Sequence, residues 1–268
     1  MNLAMIQLVE MVQQFMWPFI RVSALLIAAP IFGASALNVR MRVAIGAVLT
    51  ILIFQTVDVP AIDPFTFAAV TKIFHEIVVG ALMGLTLQVI AAAVILSGQV
   101  VSGGMGLGMA NMIDPNLGNV PTLANFLLVI GLLAFLSLGG HLVLISVLVD
   151  SYRFIPIGEG LFQTNAIAGL ITWSSQMFVG AVSLVLPVLL GLLMINVCLG
   201  VISKASPSLN IFAVGFPALI PIGLVLVTLT VSFYYSRLET LWYDGFRYLQ
   251  GSLFTYCLLY TSDAADEV

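Results

Sequence analysis

Hydrophobic positions along this chain are not spaced at helical or strand intervals but run together in long blocks, separated by short polar links, which is the pattern of buried or membrane-embedded helices. The first block runs from residue 3 to 32 and predicts one helix, kinked where Pro18 removes an amide donor. A short basic link, Gly33 to Arg42 (GASALNVRMR), leads to a second helix from Val43 to Val57 and then an acidic turn, Asp58 to Pro64. The basic link favours the cytoplasmic side under the positive-inside rule. From Phe65 to Leu96 about 32 apolar residues would make roughly 48 Å of straight helix, against a hydrocarbon core of about 30 Å. That helix must tilt, break or extend beyond the bilayer, and the GxxxG pair Gly80 and Gly84 offers a flexible or closely packed point within it.

The longest interruption is Ser97 to Phe126, SGQVVSGGMGLGMANMIDPNLGNVPTLANF. Gly103, Gly104, Gly106 and Gly108 stand within six positions, and Asp114, Pro115 and Gly118 supply turn chemistry. Met105, Met109 and Met112, at i, i+4 and i+7, would place three flexible thioethers on one side of a helical turn. A re-entrant or pore-closing loop fits this composition. So does a simpler role, in which Gly104 and Gly108 let two helices touch.

Beyond it, Leu123 to Val149 reads as a helix ended by Asp150, Arg153 and the turn Pro156 to Gly158. Ala166 to Ile202 is again too long for a simple span and contains Pro187, so a kink or hairpin is expected there. A polar turn, Lys204 to Asn210, precedes the last apolar run, Ile211 to Tyr235, which carries Pro217 and Pro221. Arg237 to Tyr256 reads as an amphipathic end segment. The amino terminus lacks a basic n-region and carries Glu10, unlike a cleavable signal peptide.

Composition narrows the class. Of 268 residues 61% are hydrophobic and 7% charged, against roughly a quarter charged in soluble domains, so the expectation is an all-α integral membrane protein of long kinked helical hairpins. No basic patch is large enough for nucleic acid. Cys198 and Cys257 define neither a disulfide framework nor a metal site, and no cofactor is expected. The string from Cys257, CLLYTSDAADE, resembles a translated adapter used in transposon-based library preparation, so 257–268 is read as a sequence artefact. Without Asp263, Asp266 and Glu267, 9 acidic residues face 8 basic ones and the formal charge of −4 becomes −1.

Few charges lie within the apolar blocks. Arg21 is costly at membrane depth unless it pairs or reaches water. Lys72, His75 and Glu76 share a face at i, i+3 and i+4, where Lys72 and Glu76 could form an ion pair. A proton relay is one reading of that cluster; a solvated, interfacial pair is the plainer one. The isolated His141 reads as a satisfied structural imidazole.

Four ordered motifs carry a family resemblance: FMWPFIRVSALLIAAPIFG at 15 to 33, the central QVVSGGMGLGMANMIDPNLGNVPTLANF, GGHLVLISVLVDSYRFIPIG at 139 to 158, and SKASPSLNIFAVGFP at 203 to 217. Together, over residues 3 to 250, they resemble the FliR family of type III secretion export-gate proteins. The DPNLG and NVPTLANF pieces look more like the flagellar branch than its virulence-system relatives.

The resemblance implies a gate subunit in the bacterial inner membrane, at the flagellar basal body. It would assemble with FliP and FliQ, and with FlhB and FlhA beside them, into a channel passing unfolded flagellar proteins. It implies a FliP-like part, 1–165, and a FliQ-like hairpin, 166–250. The family's plug loop falls on about Gly106 to Gly118, and Lys204 falls in the FliQ-like turn, at the channel entrance. The GG before Met105 stands where the family resemblance leads us to expect a bulkier pair, implying a looser loop.

Two other classes compete. A small-solute secondary transporter would use broken helices around a midplane site, but paired intramembrane carboxylates and an inverted repeat are missing from the sequence. An intramembrane enzyme lacks its motifs: there is no GxSxG, HExxH or Walker A pattern.

Overall fold

Pro18 does not break the first helix. In the computed structural model α1 runs unbroken over Asn2–Ala28 with Pro18 inside it, and the chain bends only before Pro30, where the short α2, Pro30–Gly33, begins. The structure describes residues 2–33, 38–54, 56, 57, 59, 66–107, 122–158, 164–206 and 211–253. Then follow α3, Val39–Phe54, α4, Phe67–Gly104, α5, Thr122–Ser137, and α6, Gly140–Phe154. The remainder comprises α7, Thr164–Trp173, α8, Gln176–Ala205, α9, Ile211–Leu229, α10, Val231–Tyr248, and a π-helical turn, Leu249–Leu253. No strand occurs among the described residues, so the fold is all-α.

Several boundaries differ from the sequence reading. The over-long block does not break: α4 has 38 residues, about 57 Å of helix at 1.5 Å each, and it takes in Ser97 to Gly104, read above as part of the interruption. The predicted helix from Leu123 to Val149 is split, because Gly139 adopts φ 71° between α5 and α6. Pro187 makes no hairpin; it lies inside α8, and the break falls earlier, at Ser174 and Ser175. Nor do Pro217 and Pro221 interrupt α9, which ends only at Leu229, with Thr230 standing between it and α10. The Thr230 amide and hydroxyl both donate to the Leu226 carbonyl, at 3.1 and 2.9 Å.

Among the described residues three helical stretches are long and apolar enough to cross a membrane, Met11–Ala28, Ala69–Gly104 and Ala166–Ala205, and there are up to five if each bent pair counts as one span. Hydroxyls inside them donate back to their own helix, as Thr86 does to Leu82 at 2.8 Å and Ser97 to Val94 at 2.7 Å. These two hydroxyls are thereby not left as bare donors in apolar surroundings.

The chain divides into two units, each made of separated segments. The first comprises the described residues of Met1–Val89, Gly139–Ser174 and Tyr243–Val268. Here α1 packs on α3 and on the first part of α4, where small residues allow the backbones to meet: a Cβ on Gly84 would lie 2.5 Å from the Ala28 methyl, and one on Gly80 would collide with the Arg21 carbonyl. The GxxxG pair is therefore a contact, not a flexible point. Trp173 closes the unit by donating Nε1–H to the Thr86 carbonyl at 3.1 Å and stacking on Tyr248 with ring centroids 4.5 Å apart.

The second unit comprises the described residues of Ile90–Leu138 and Ser175–Trp242. Its α8 and α9 form a hairpin in which Leu226 lies against Gly191, and α4 meets α5 where a Cβ on Gly98 would collide with the Ala124 backbone. The start of α10 buries Tyr234, Leu238 and Trp242 at four-residue intervals, confirming the amphipathic reading of that segment.

Candidate functional site

In the first unit, the buried stripe of α1 is Trp17, Arg21 and Leu25 at i, i+4 and i+8, so a charged residue stands in the middle of a packing face. Its partner comes from α4. Arg21 Nε donates to Glu76 Oε2 at 2.7 Å and Nη2 to Glu76 Oε1 at 3.1 Å, a fork-to-fork pair with neither side chain exposed. The guanidinium's other donors are taken by α6 and the residue after it: Nη1 reaches the Ser151 carbonyl at 3.1 Å and its Oγ at 3.2 Å, and Nη2 reaches the Ile155 carbonyl at 2.9 Å. Every N–H direction of the guanidinium has an acceptor, the condition under which a buried arginine is tolerable.

Tyr152 completes the cluster. Its ring lies 4.3 Å from the guanidinium carbon, a cation–π contact made away from water, and its hydroxyl donates to the Pro18 carbonyl at 3.0 Å. On the carboxylate side the Gly158 N–H reaches Glu76 Oε1 at 3.4 Å. Gly158 has φ 86°, and a Cβ there would also press on Lys72 Cδ at 2.9 Å, so the turn that delivers this amide requires glycine.

These contacts correct the reading of the cluster. Glu76 pairs with Arg21 and not with Lys72, whose stem lies against Gly158. Nor is the group solvated, since His75 is 4% exposed and Glu76 fully buried. The carboxylate of Glu76 is committed to a guanidinium, and both His75 ring nitrogens are buried without hydrogen bonds, Nδ1 lying 3.6 Å from Glu76 Oε1. The His141 imidazole is likewise not satisfied, its buried Nδ1 having no partner. Among the described residues no three His, Cys, Asp or Glu side chains group as a metal site.

The second unit contains the beginning of the central loop. Gly103 and Gly104 are helical, the last residues of α4. Gly103 faces open space, whereas a Cβ on Gly104 would stand 3.1 Å from Leu192 Cδ1; its expected pairing with Gly108 lies outside the described residues. The Met105 amide still bonds to the Val101 carbonyl at 3.0 Å, the Gly106 amide turns back to Gly103 at 3.0 Å, and Gly106 takes φ 76°. Met105 is completely buried, with its Cε, Cγ and Sδ 2.5, 2.6 and 2.9 Å from where a Cβ on Gly223 would stand. Gly108, Met109, Met112, Asp114, Pro115 and Gly118 lie outside the described residues. Lys204 is exposed in the last turn of α8, where a cation complements the helix dipole.

The profile of a family described as "Bacterial export proteins, family 1" matches residues 12–245. The flagellar biosynthetic protein FliR of Pectobacterium carotovorum subsp. carotovorum is 34% identical over 219 residues, covering 81% of this chain and 84% of that one. This chain belongs to the FliR family. The FliR proteins of Escherichia coli (strain K12), 34% identical over 214 residues with 80% and 82% covered, and of Bacillus subtilis (strain 168), 28% identical over 229 residues with 84% and 88% covered, are similar along nearly the same length. As a FliR-family member the chain is a component of the flagellar export apparatus, and the branch is flagellar, as the DPNLG and NVPTLANF pieces indicated.

Within this FliR-family chain, Ser151 and Tyr152 are the site residues that sequence reasoning missed. Arg21 and Glu76 were visible as opposite charges in apolar blocks; Tyr152 stood in the quoted motif VDSYRF but carried no signal of its own.

Proposed function

We propose that this FliR-family protein is a subunit of the flagellar type III export gate. In this reading it forms, with FliP and FliQ, the channel that passes unfolded flagellar proteins across the bacterial inner membrane at the basal body. FlhB and FlhA stand beside the gate. The segment 1–165 acts as the FliP-like part and 166–250 as the FliQ-like hairpin. The plug comprises Gly103, Gly104, Met105, Gly106, Gly108, Met109, Met112, Asp114, Pro115 and Gly118, and Lys204 lies at the entrance.

One observation carries the plug assignment. Met105 is locked against Gly223 at the end of α4, and Gly106 then turns the chain out of the helix with φ 76°. A glycine in the left-handed region directly after an anchored, flexible side chain makes a loop held at its root yet releasable. The Arg21–Glu76 cluster then acts as a fixed pin. Its carboxylate is held by a buried guanidinium, which speaks against the transporter reading.

Deletion of Met105 to Met112 in the membrane-assembled complex tests the proposal by ion conductance. Leakage with assembly preserved supports the plug; an unchanged tight seal with assembly preserved removes it.

A further inference from the structure

Beside the Arg21–Glu76 pair lies a titratable ring to which the gate reading gives no role. His75 is 4% exposed, and among the described residues its one ion-pair partner is Glu76, whose Oε1 lies 3.6 Å from Nδ1. That separation is long for a hydrogen bond, yet it becomes an ion-pair contact once the imidazole carries a proton. The ring stands near the start of α4, which begins at Phe67, in a part of the helix where Phe67, Val70 and Phe74 are exposed. A proton from solvent has only a short way to travel there.

The two oxygens of Glu76 are not held alike. Oε2 accepts from Arg21 Nε at 2.7 Å, whereas Oε1 accepts from Arg21 Nη2 at 3.1 Å and from the Gly158 amide at 3.4 Å. His75 faces Oε1, the loosely held oxygen. Charged donors bind a carboxylate roughly twice as strongly as neutral ones. An imidazolium that donates Nδ1–H to Oε1 therefore displaces the neutral Gly158 amide first, and the guanidinium keeps its grip through Oε2.

A second contact of Gly158 responds in the same direction. Lys72 Cδ, Cε and Nζ lie 2.9, 3.2 and 3.2 Å from where a Cβ on Gly158 would stand. Lys72 and His75 are at i and i+3 of α4, the spacing at which like charges repel. A charged ring thus disfavours both the carboxylate and the lysine stem that α4 presents to this glycine. The other groups around it do not offset the charge. Arg21 of α1 is itself a cation, the Tyr152 hydroxyl of α6 is committed to the Pro18 carbonyl, and Asp150 and Arg153 of α6 pair with each other at the surface, 4.0 Å apart. No charged residue lies in α7. One buried carboxylate serves the cluster, so an added positive charge must weaken a contact already made.

We infer that His75 is a proton-operated switch for the turn Pro156 to Gly158. With the ring neutral, Glu76 Oε1 holds the Gly158 amide and the turn is docked on α4. With the ring protonated, the imidazolium takes Oε1, the Lys72 stem and Gly158 separate, and the turn is released while the Arg21–Glu76 fork stays closed. This inference stands whether or not the plug assignment does.

Hydrogen exchange at the Gly158 amide tests it, read from overlapping peptides of the full-length protein in its membrane complex in mild detergent. Wild type is compared with His75→Gln at equal pH, which cancels the chemical pH dependence of exchange. Near pH 7.5, above the range in which imidazoles titrate, the two should exchange alike. Near pH 5.5 the wild-type amide should exchange about fivefold faster than that of His75→Gln, the protection supplied by one hydrogen bond, with α1 and α6 unchanged. Lys72→Met should reduce that ratio. His75→Phe, flat and uncharged, replaces the glutamine variant if that one does not accumulate. A wild-type amide whose corrected rate is the same at both pH values overturns the inference, as does an equal acceleration in the uncharged variants. So does acceleration spread evenly over α1, α4 and α6, which would mean that the whole unit loosens and the turn is not switched.

Discussion

Arg21 and Glu76 are separated by 55 positions and meet with Nε and Oε2 2.7 Å apart, neither side chain reaching solvent. The pair ties α1 to α4, and through Ser151 and Ile155 it also ties in the end of α6. Three segments distant in sequence share one guanidinium, so the cluster acts as a registration device for the first unit.

Removing one member leaves the other charged and buried, an error worth about 3–5 kcal/mol. Arg21→Met and Glu76→Leu should each lower the melting temperature and membrane accumulation sharply, while the double variant, apolar on both sides, should recover much of the loss. Thermal unfolding in mild detergent measures this. Equal losses in the single and double variants would show that the pair is not the determinant.

The Tyr152 hydroxyl makes one neutral hydrogen bond, to the Pro18 carbonyl. Tyr152→Phe retains the ring beneath Arg21 and should cost about 1 kcal/mol. Tyr152→Leu also loses the cation–π contact and should cost about 1–2 kcal/mol more. The difference between the two variants, read from denaturation midpoints, isolates the ring.

Two glycines of α4 should respond oppositely to substitution. Gly84→Leu cannot be accommodated, because even its Cβ meets the Ala28 methyl at 2.5 Å and the Ala28 and Ala29 backbone at 2.9 Å. It should abolish accumulation of folded protein in membranes. Gly103→Ala meets open space and should stabilise the helix by up to about 1 kcal/mol, seen as a raised melting temperature.

Met105 and Gly223 should be coupled. Met105→Ala leaves a hole costing about 2–5 kcal/mol, and Gly223→Ala alone must displace the methionine. Combined, the added methyl occupies part of the vacated space, so the double variant should be more stable than the sum of the singles predicts. Additive losses in unfolding experiments would show that the two residues do not pack.

The helical character, the membrane class and the family were legible without coordinates, because long apolar blocks have few physical solutions and four ordered motifs are specific together. Helix breaks were less legible. A kink was expected at Pro18 within one helix, and a kink or hairpin at Pro187; both prolines lie inside continuous helices. Breaks fall at Gly139, at Ser174 and Ser175, and at Thr230; at Gly139 a positive φ acts locally. Tertiary packing compensates a missing proline donor, whereas it cannot remove a left-handed backbone.

Sequence alone determined which residues avoid water, where the charges are scarce and where glycine and turn chemistry interrupt the helices, since these follow from side-chain transfer and backbone freedom at each position. It marked Arg21 and Glu76 as costly at membrane depth. Only the tertiary structure decided that Glu76 turns to Arg21 and not to Lys72 four positions earlier, and that Tyr152, Gly158 and Gly223 belong to the sites. Local spacing makes the Lys72 pairing available, but a buried carboxylate requires a fully satisfied partner, and the planar fork of an arginine held by α6 meets that need better than a flexible lysine at the margin.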